Sequence, residues 1–559
     1  MPLLARFQPP VLTLLKMNAL LQKLEKLTAP DAPPDGAEDA HVFSAMPTAE
    51  QYAGQAQARA RWFLLGGGLL AGLVAFSFVA FGLDNILLPV ALLAGVLTPV
   101  LLWRFPRFVL YGTLVAVCLF ETGPVSGLDG RQYADALTDR IPFFWNVNTI
   151  FQIYAHADFK GVPLNLFEIF ILTAGICSCL RAVYTQNTSL RGGPLLLPIG
   201  IYMAFVLVGW VNGMLTGGDF KVSLQEVRSQ FYFGLAYLMA VNMVRDRRQL
   251  SAILWTVAAC AALKGVLLTL RRYVTLHGLP LPDQGIDAHE EVFFFDCFAA
   301  LLLALSVFGA YTRLRWAMIA LLPFVLLGSL ACNRRAGTAA FIVIIPLLVL
   351  AAYQALPARR RLISALSVAG FVLFAGYYVA FQNSDNLLAQ PARAIKSQFQ
   401  PDPRDASSNA YRDAENADLM ATIRSAPLQG FGYGKHMFHA VPIADISKDY
   451  EWWDIMTHNQ VLWVWMRVGS FGFLAFWMMV AAIIVCAART VRDPAAAPDV
   501  KAVALTALLI IGTLQIFGLL DLQFSNFRDM LFAGLWAGMA AALPTLAPAP
   551  AMTRKEAAR

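Results

Sequence analysis

Apolar residues in this chain arrive in blocks rather than in strict alternation. About 20 apolar residues in a helix span a bilayer core. Blocks near that size lie at 62–82, 85–103, 108–120, 166–183, 194–215, 229–244, 250–270, 291–311, 316–332, 337–354, 362–382, 460–488, 502–520 and 529–545. Several are short or closely spaced, so the pattern predicts about 12 to 14 transmembrane helices. The period-two alternation of a membrane barrel is missing, which leaves helices to satisfy the backbone polar groups within lipid. The fold class expected is therefore all-α and polytopic.

Polar segments between the blocks divide the chain. Residues 1–60 form an N-terminal extension, 61–382 the first eleven helices, 383–457 a long loop, 458–545 the last helices and 546–559 a tail. Arginines and lysines fall in alternate loops: Arg104 and Arg107, Arg181 and Arg191, Arg245 with Arg247 and Arg248, Arg313 and Arg315, Arg359 to Arg361, Arg489 with Arg492 and Lys501, and Arg554 with Lys555. That is the positive-inside pattern, and it places both termini in the cytoplasm. The long loops 121–165 and 383–457 then lie outside. A loop as long as the second is functional or disordered. Its segment SSNAYRDAENADLMATIRSAPLQGFGYG reads as a helix closed by Pro427 and a glycine-bearing turn. In the extension, PVLTLLKMNALLQKLEKL suits either an interfacial helix or a frayed end. No cleavable signal peptide is evident.

Composition agrees, with 58% hydrophobic and 14% charged residues. The net charge of +7 is accounted for by topology, and no nucleic-acid partner is implied. The seven cysteines lie in or beside apolar blocks without a C-x-x-C pair, so neither a disulfide framework nor a zinc site is indicated.

Charges on the external side go against the orientation rule and are candidates for function. Arg228 starts a span at its external end, and Arg334-Arg335 occupy a tight external turn. Lys264 and Arg271 share a helix face and either join that surface or pair with Glu290, Glu291 or Asp296. His458-Asn459 stands where the long loop gives way to a span. Each terminal arginine also fits a snorkelling anchor. Arg467 is a costly charge if the span begins at His458. If the span begins near 468, Arg467 sits at the surface and HNQVLWVWM is a short interfacial segment with its tryptophans at head-group level. Guanidinium pairs clamp phosphate oxygens, and a nearby histidine accepts a hydroxyl proton near neutral pH. With arginines neutralising the phosphates, this chemistry calls for no metal and no cofactor. Glu451, Trp452, Trp453 and Asp454 are candidate sugar contacts, since aromatic rings stack on pyranoses. His436 and His439 share a segment without a third metal ligand.

The string THNQVLWVWMRVGSFGFLAFW contains His458-Asn459, nine residues, then Gly469 and Gly472. This H-N-x9-G-x-x-G spacing resembles the signature of the O-antigen ligase and O-antigen polymerase superfamily. EVRSQFYFGLAYLMAVNMVRDRRQL, SLACNRRAGTAAFIVI (with Asn333 where serine is usual) and YRDAENADLMATIRSAPLQGFGYGKHMF resemble further family segments in the same order, over about 160–490. The resemblance implies a GT-C-like membrane glycosyltransferase of the bacterial inner membrane with its active site at the periplasmic face. The implied donor is an undecaprenyl-pyrophosphate-linked glycan, and the acceptor a hydroxyl of glycan, lipid A core or protein. It further implies His458 as general base, Arg228 with Arg334 or Arg335 on the pyrophosphate, and Asn459, Gly469 and Gly472 in support. The motif spacing leans to a ligase and the added length to an exopolysaccharide polymerase. A transporter or flippase is the rival class, although no repeat between halves is seen. Phe473 follows Gly472 where ligases often carry a small polar residue.

Overall fold

The computed structural model describes position 72 and residues 87–119, 166–185, 190–275, 290–332, 334–447 and 452–546. The N-terminal extension, the loop 121–165, Asn333, Glu451, residues 547–559 and the side chain of Arg271 lie outside the described residues.

The described residues are helical, with no β-strand. In chain order the helices are α1 (Leu87–Arg104), α2 (Phe108–Leu119), α3 (Leu166–Thr185), α4 (Leu196–Leu215), α5 (Phe220–Met243), α6 (Arg247–Leu270), α7 (Glu291–Phe308), α8 (Thr312–Ala331), α9 (Arg335–Ala355), α10 (Arg360–Phe381), α11 (Gln390–Phe399), α12 (Pro403–Ser425), α13 (Gln460–Arg492), α14 (Pro498–Leu520) and α15 (Phe527–Ala542). Among the described residues, nine helical segments are long and apolar enough to cross a membrane. The protein is an all-α, multi-pass membrane protein. Among the described residues the blocks at 85–103, 108–120, 229–244 and 529–545 are helical too, but α2 and α15 have only 12 and 16 residues, and α5 carries polar groups along its first half.

The chain divides into two compact units, Met1–Phe108 with Thr173–Thr185, and Val109–Leu172 with Gln186–Arg559. In the first, Arg181 Nη1 donates to the Trp103 carbonyl at 2.9 Å and the Trp103 and Tyr184 rings lie 6.2 Å apart.

In the second unit, α14 packs on α7, α9, α13 and α15, and α5 runs against α15. Backbones approach closely there because Gly534 and Gly538 are spaced by four. A Cβ on Gly538 would sit 2.5 Å from the Tyr237 carbonyl and 2.6 Å from Ala240 Cβ. Lipid tails are as apolar as the side chains, so such packing holds helices together where a hydrophobic drive is absent.

Several charges inside the unit are paired. Lys264 Nζ lies 3.6 Å from Glu291, and the Arg528 guanidinium bonds Glu291, faces Glu290 at 3.5 Å and donates to the Val117 carbonyl at 2.7 Å. These groups are almost wholly shielded from solvent. Of the two sequence readings for Lys264, the structure shows the pairing.

Helix ends carry opposite characters at the two ends of this bundle. At one end Arg247 meets Asp499 at 3.7 Å and Arg191 N donates to Asn242, among the basic loops. At the other end the α8–α9 turn, the start of α13 and the end of α14 meet the segment 383–457, and the start of α15 meets the start of α13. Ser525 N donates to the Gln460 side chain at 2.9 Å, and Arg335 Nη1 meets Asp405 at 3.2 Å.

Replacing Arg528 by leucine removes the buried guanidinium that Glu290 and Glu291 face. The expected loss is about 3–5 kcal/mol, read as a lower unfolding midpoint of the purified protein in nanodiscs.

Candidate active site at the loop-bearing end

Two strong local signals build this end. The first is the break in α13 at Gly469, whose φ of +69° with ψ of 179° is a conformation essentially confined to glycine. It separates a short helix, 460–468, from the long span. The second is the turn Pro427-Leu-Gln-Gly-Phe-Gly432, which fits against that break. Phe431 N donates to the Met466 carbonyl at 2.7 Å, Gly432 N to the Arg467 carbonyl at 3.3 Å, and Ser470 N to the Pro427 carbonyl at 2.9 Å. A Cβ on Gly469 would collide with the Leu428 carbonyl, and one on Gly430 would lie 2.5 Å from Gly469 N. The carbonyls left by the broken helix are thus taken up by the loop backbone. Gly472 lets α13 approach Phe205 of α4, whose Cβ stands 3.1 Å from where a glycine Cβ would be.

Arg467 is not at a surface, as the interfacial reading expects. Its Nε meets Glu226 of α5 at 2.7 Å, and both side chains are fully buried. Its other nitrogens donate to the carbonyls of Gly432, Lys435 and Ile455 at 2.8–2.9 Å. Glu226 also accepts from Trp463 Nε1 at 3.0 Å and Gly434 N at 2.5 Å. The short helix does form, but its charge is buried against a partner on a distant helix that local patterning does not indicate.

Helix α12 begins with Asp402 capping Asp405 N and presents Tyr411, Glu415, Asp418 and Thr422 along one stripe, the i, i+4, i+7 spacing of a helix face. Tyr411 stands edge-on to the His458 ring at 5.8 Å. Glu415, buried, meets His458 Nδ1 at 3.1 Å with one oxygen and His458 N at 3.1 Å with the other. Asp418 accepts from Ala440 N and Val441 N, and Thr422 from Phe438 N, each at 2.8 Å. Asn459 caps α13 through Leu462 N and donates to Asn416 of α12 at 2.9 Å. Burial alone pulls the His458 imidazolium pKa down. The hydrogen bond and charge of Glu415, with Asp521 beyond, outweigh burial and Arg412, so the net direction is up.

Beside this lies a cavity of about 510 Å³ whose lining includes Arg334, Arg335, Arg393, Lys396, Arg404 and Arg412 against four aspartates. Arg335 is engaged with Asp405 and, at 3.4 and 3.5 Å, with Ser397 and Ser408, tying α9 to α11 and α12. Arg334 also lines a second, apolar cavity of about 590 Å³ between α7, α8, α9 and α10, with Phe295, Leu326, Phe341 and Phe374 in its wall. The two cavities share Arg334, Thr338 and Gln390. Asp521 and Arg412 act electrostatically on both Arg334 and His458. The arrangement offers an anion a cationic chamber and offers an attached hydrocarbon an adjoining slot.

Not every candidate joins this site. Arg228 does not stand at the start of its helix. It lies two turns inside α5, 5% exposed, with Nε 3.2 Å from Glu168, and it lines neither cavity. Helix α5 starts earlier than its apolar block because its polar residues are satisfied internally. Asp454 is taken by His436 Nδ1 at 2.8 Å, Trp453 stacks on His439 at 5.3 Å, and the Trp452 carbonyl closes a turn to Met456 N. Glu451 is outside the described residues. Among the described residues no group of three or more His, Cys, Asp or Glu is placed to hold a metal ion. Glu415, Arg412 and Asp521 escaped the sequence reading. The i+4 spacing of Tyr411 and Glu415 was the signal that could have found the first.

No described protein family matches this chain, and no characterised protein matches it at a significant level.

Replacing Gly469 by alanine is expected to cost about 1–3 kcal/mol and to displace the 427–432 turn, seen as faster proteolysis within 427–441 in nanodiscs.

Proposed function

We propose that this protein is a membrane glycosyltransferase that moves a glycan from a polyprenyl-pyrophosphate carrier to an acceptor hydroxyl at the outer face of a bacterial inner membrane. The observation that carries the reading is Arg334, shared by a cationic chamber and an apolar slot in the same charged neighbourhood as His458. A lipid-linked pyrophosphate is a ligand of that description. Its anion suits arginines, which bind phosphate oxygens through a planar fork, and its hydrocarbon suits the slot. The H-N-x9-G-x-x-G spacing supports the ligase form of the reaction.

In this mechanism the acceptor oxygen attacks the anomeric carbon of the donor sugar. The bond from that carbon to the pyrophosphate oxygen breaks, and its electron pair stays on the leaving pyrophosphate. The hydroxyl proton passes to Nε2 of His458, the ring nitrogen that no hydrogen bond engages among the described residues. Arg334 stabilises the charge that grows on the leaving group, where fixed cations in a water-poor site act most strongly. Arg335, held by Asp405, keeps the loop helices over the chamber.

The test is a gel of surface and carrier-linked glycans from cells whose only copy carries His458→Ala at matched protein level. Full-length glycan retained on the carrier is the expected result. Single repeat units retained instead identify a polymerase using the same chemistry. An unchanged profile overturns the catalytic role of His458 and favours a transporter. Arg334→Gln is expected to lower transfer about 10²-fold or more in the same assay, with protein level and unfolding midpoint near wild type.

A further inference from the structure

We propose that Glu415 is a positioning residue for His458, fixing the imidazole tautomer in which Nδ1 carries the proton and Nε2 accepts one. The proposal rests on the reading of His458 as the base.

The geometry leaves Glu415 a narrow role. Its side chain is 1% exposed, and both oxygens serve the same residue, one on the backbone N–H and one on Nδ1. An ionised carboxylate only accepts hydrogen bonds. The ring nitrogen facing it must therefore be the donor, which makes Nε2 of the neutral ring the acceptor. The backbone contact anchors the carboxylate independently of the ring, and the edge of Tyr411 limits ring rotation. The neighbouring pair Asn416–Asn459 repeats the link one residue along both chains, so α12 and the start of α13 are joined at two successive positions. The charged and titratable groups around the ring are Tyr411, Arg412 and Glu415 from α12 and Asp521 from the end of α14. When Nε2 takes the acceptor proton, the imidazolium charge lies against the Glu415 carboxylate, the arrangement known from carboxylate–histidine pairs in acyl transfer. Because Arg412 of the same helix lines the cationic chamber, one rigid element sets both the base and part of the anion site.

Glu415→Gln tests this without changing size. The His458 backbone N–H is an obligatory donor, so it takes the amide oxygen and turns the amide NH2 towards Nδ1. Nδ1 must then accept, and the proton moves to Nε2, where it blocks the base. The experiment uses full-length protein in nanodiscs with ¹⁵N-histidine, His458 being assigned by difference from His458→Ala. Wild type is expected to show Nδ1 protonated at a pH where the ring is neutral, and Glu415→Gln the reverse. Asn416→Ala, which loosens the same junction without touching the ring, is expected to keep the wild-type tautomer.

Transfer is measured in membrane vesicles whose own carrier-linked glycan is the donor. Glu415→Gln is expected to lower it about 10²-fold or more. Its acidic limb is expected to move to lower pH, because loss of the carboxylate removes what raises the His458 pKa. A Glu415→Gln spectrum like wild type overturns the proposal. So does wild-type transfer by Glu415→Gln when His458→Ala has none. Wild-type transfer by His458→Ala overturns the functional reading itself, and the spectra then report the tautomer separately.

Discussion

The buried pair of Glu226 and Arg467 is the contact on which the loop-bearing end depends. A guanidinium and a carboxylate that are both fully buried must satisfy each other and their remaining hydrogen-bonding capacity, because removing one leaves an uncompensated charge. Arg467 meets that demand by donating to three loop carbonyls, and Glu226 by accepting from Trp463 and Gly434. The segment 427–435 is thereby built into the helical bundle. The break at Gly469 belongs to the same arrangement, since it opens the carbonyls of Met466 and Arg467 to the loop backbone. His458 stands at the head of the short helix so created.

Charges sort into two groups by what surrounds them. Lys264, Glu291 and Arg528 close on one another in shielded surroundings, and their role is to let polar groups exist among apolar helices. Arg228 with Glu168 is of the same kind. The cations around the 510 Å³ cavity outnumber the aspartates there, so its lining is net positive. Arg334 belongs to the second group and sits where the polar and apolar cavities join.

Helix α12 shows how an external segment becomes part of a site. Its apolar content is low, so its position comes from a polar stripe that engages His458, Asn459 and the backbone of 438–441. The bonds to Phe438 N, Ala440 N and Val441 N satisfy loop backbone groups that have no helix or sheet partner. The same helix contributes Arg412 to the chamber, so the order of this external segment and the order of the site are one property.

The sequence by itself determined the all-α, multi-pass class and the helix in the long loop. Block length and helical spacing are local properties, legible without knowing what lies across the bundle. It also singled out Asn459, Gly469 and the exceptional pair Arg334-Arg335, although the cap at Asn459 and the helix break at Gly469 came only with the structure. Only the tertiary structure decided which charges pair and which line a cavity. It put Arg467 against Glu226, 241 residues earlier in the chain by their numbers, withdrew Arg228 to Glu168, gave Asp454 to His436 and set Glu415 under His458. Those choices depend on which helices meet face to face, and a charge in an apolar bundle takes whichever partner the packing brings within reach.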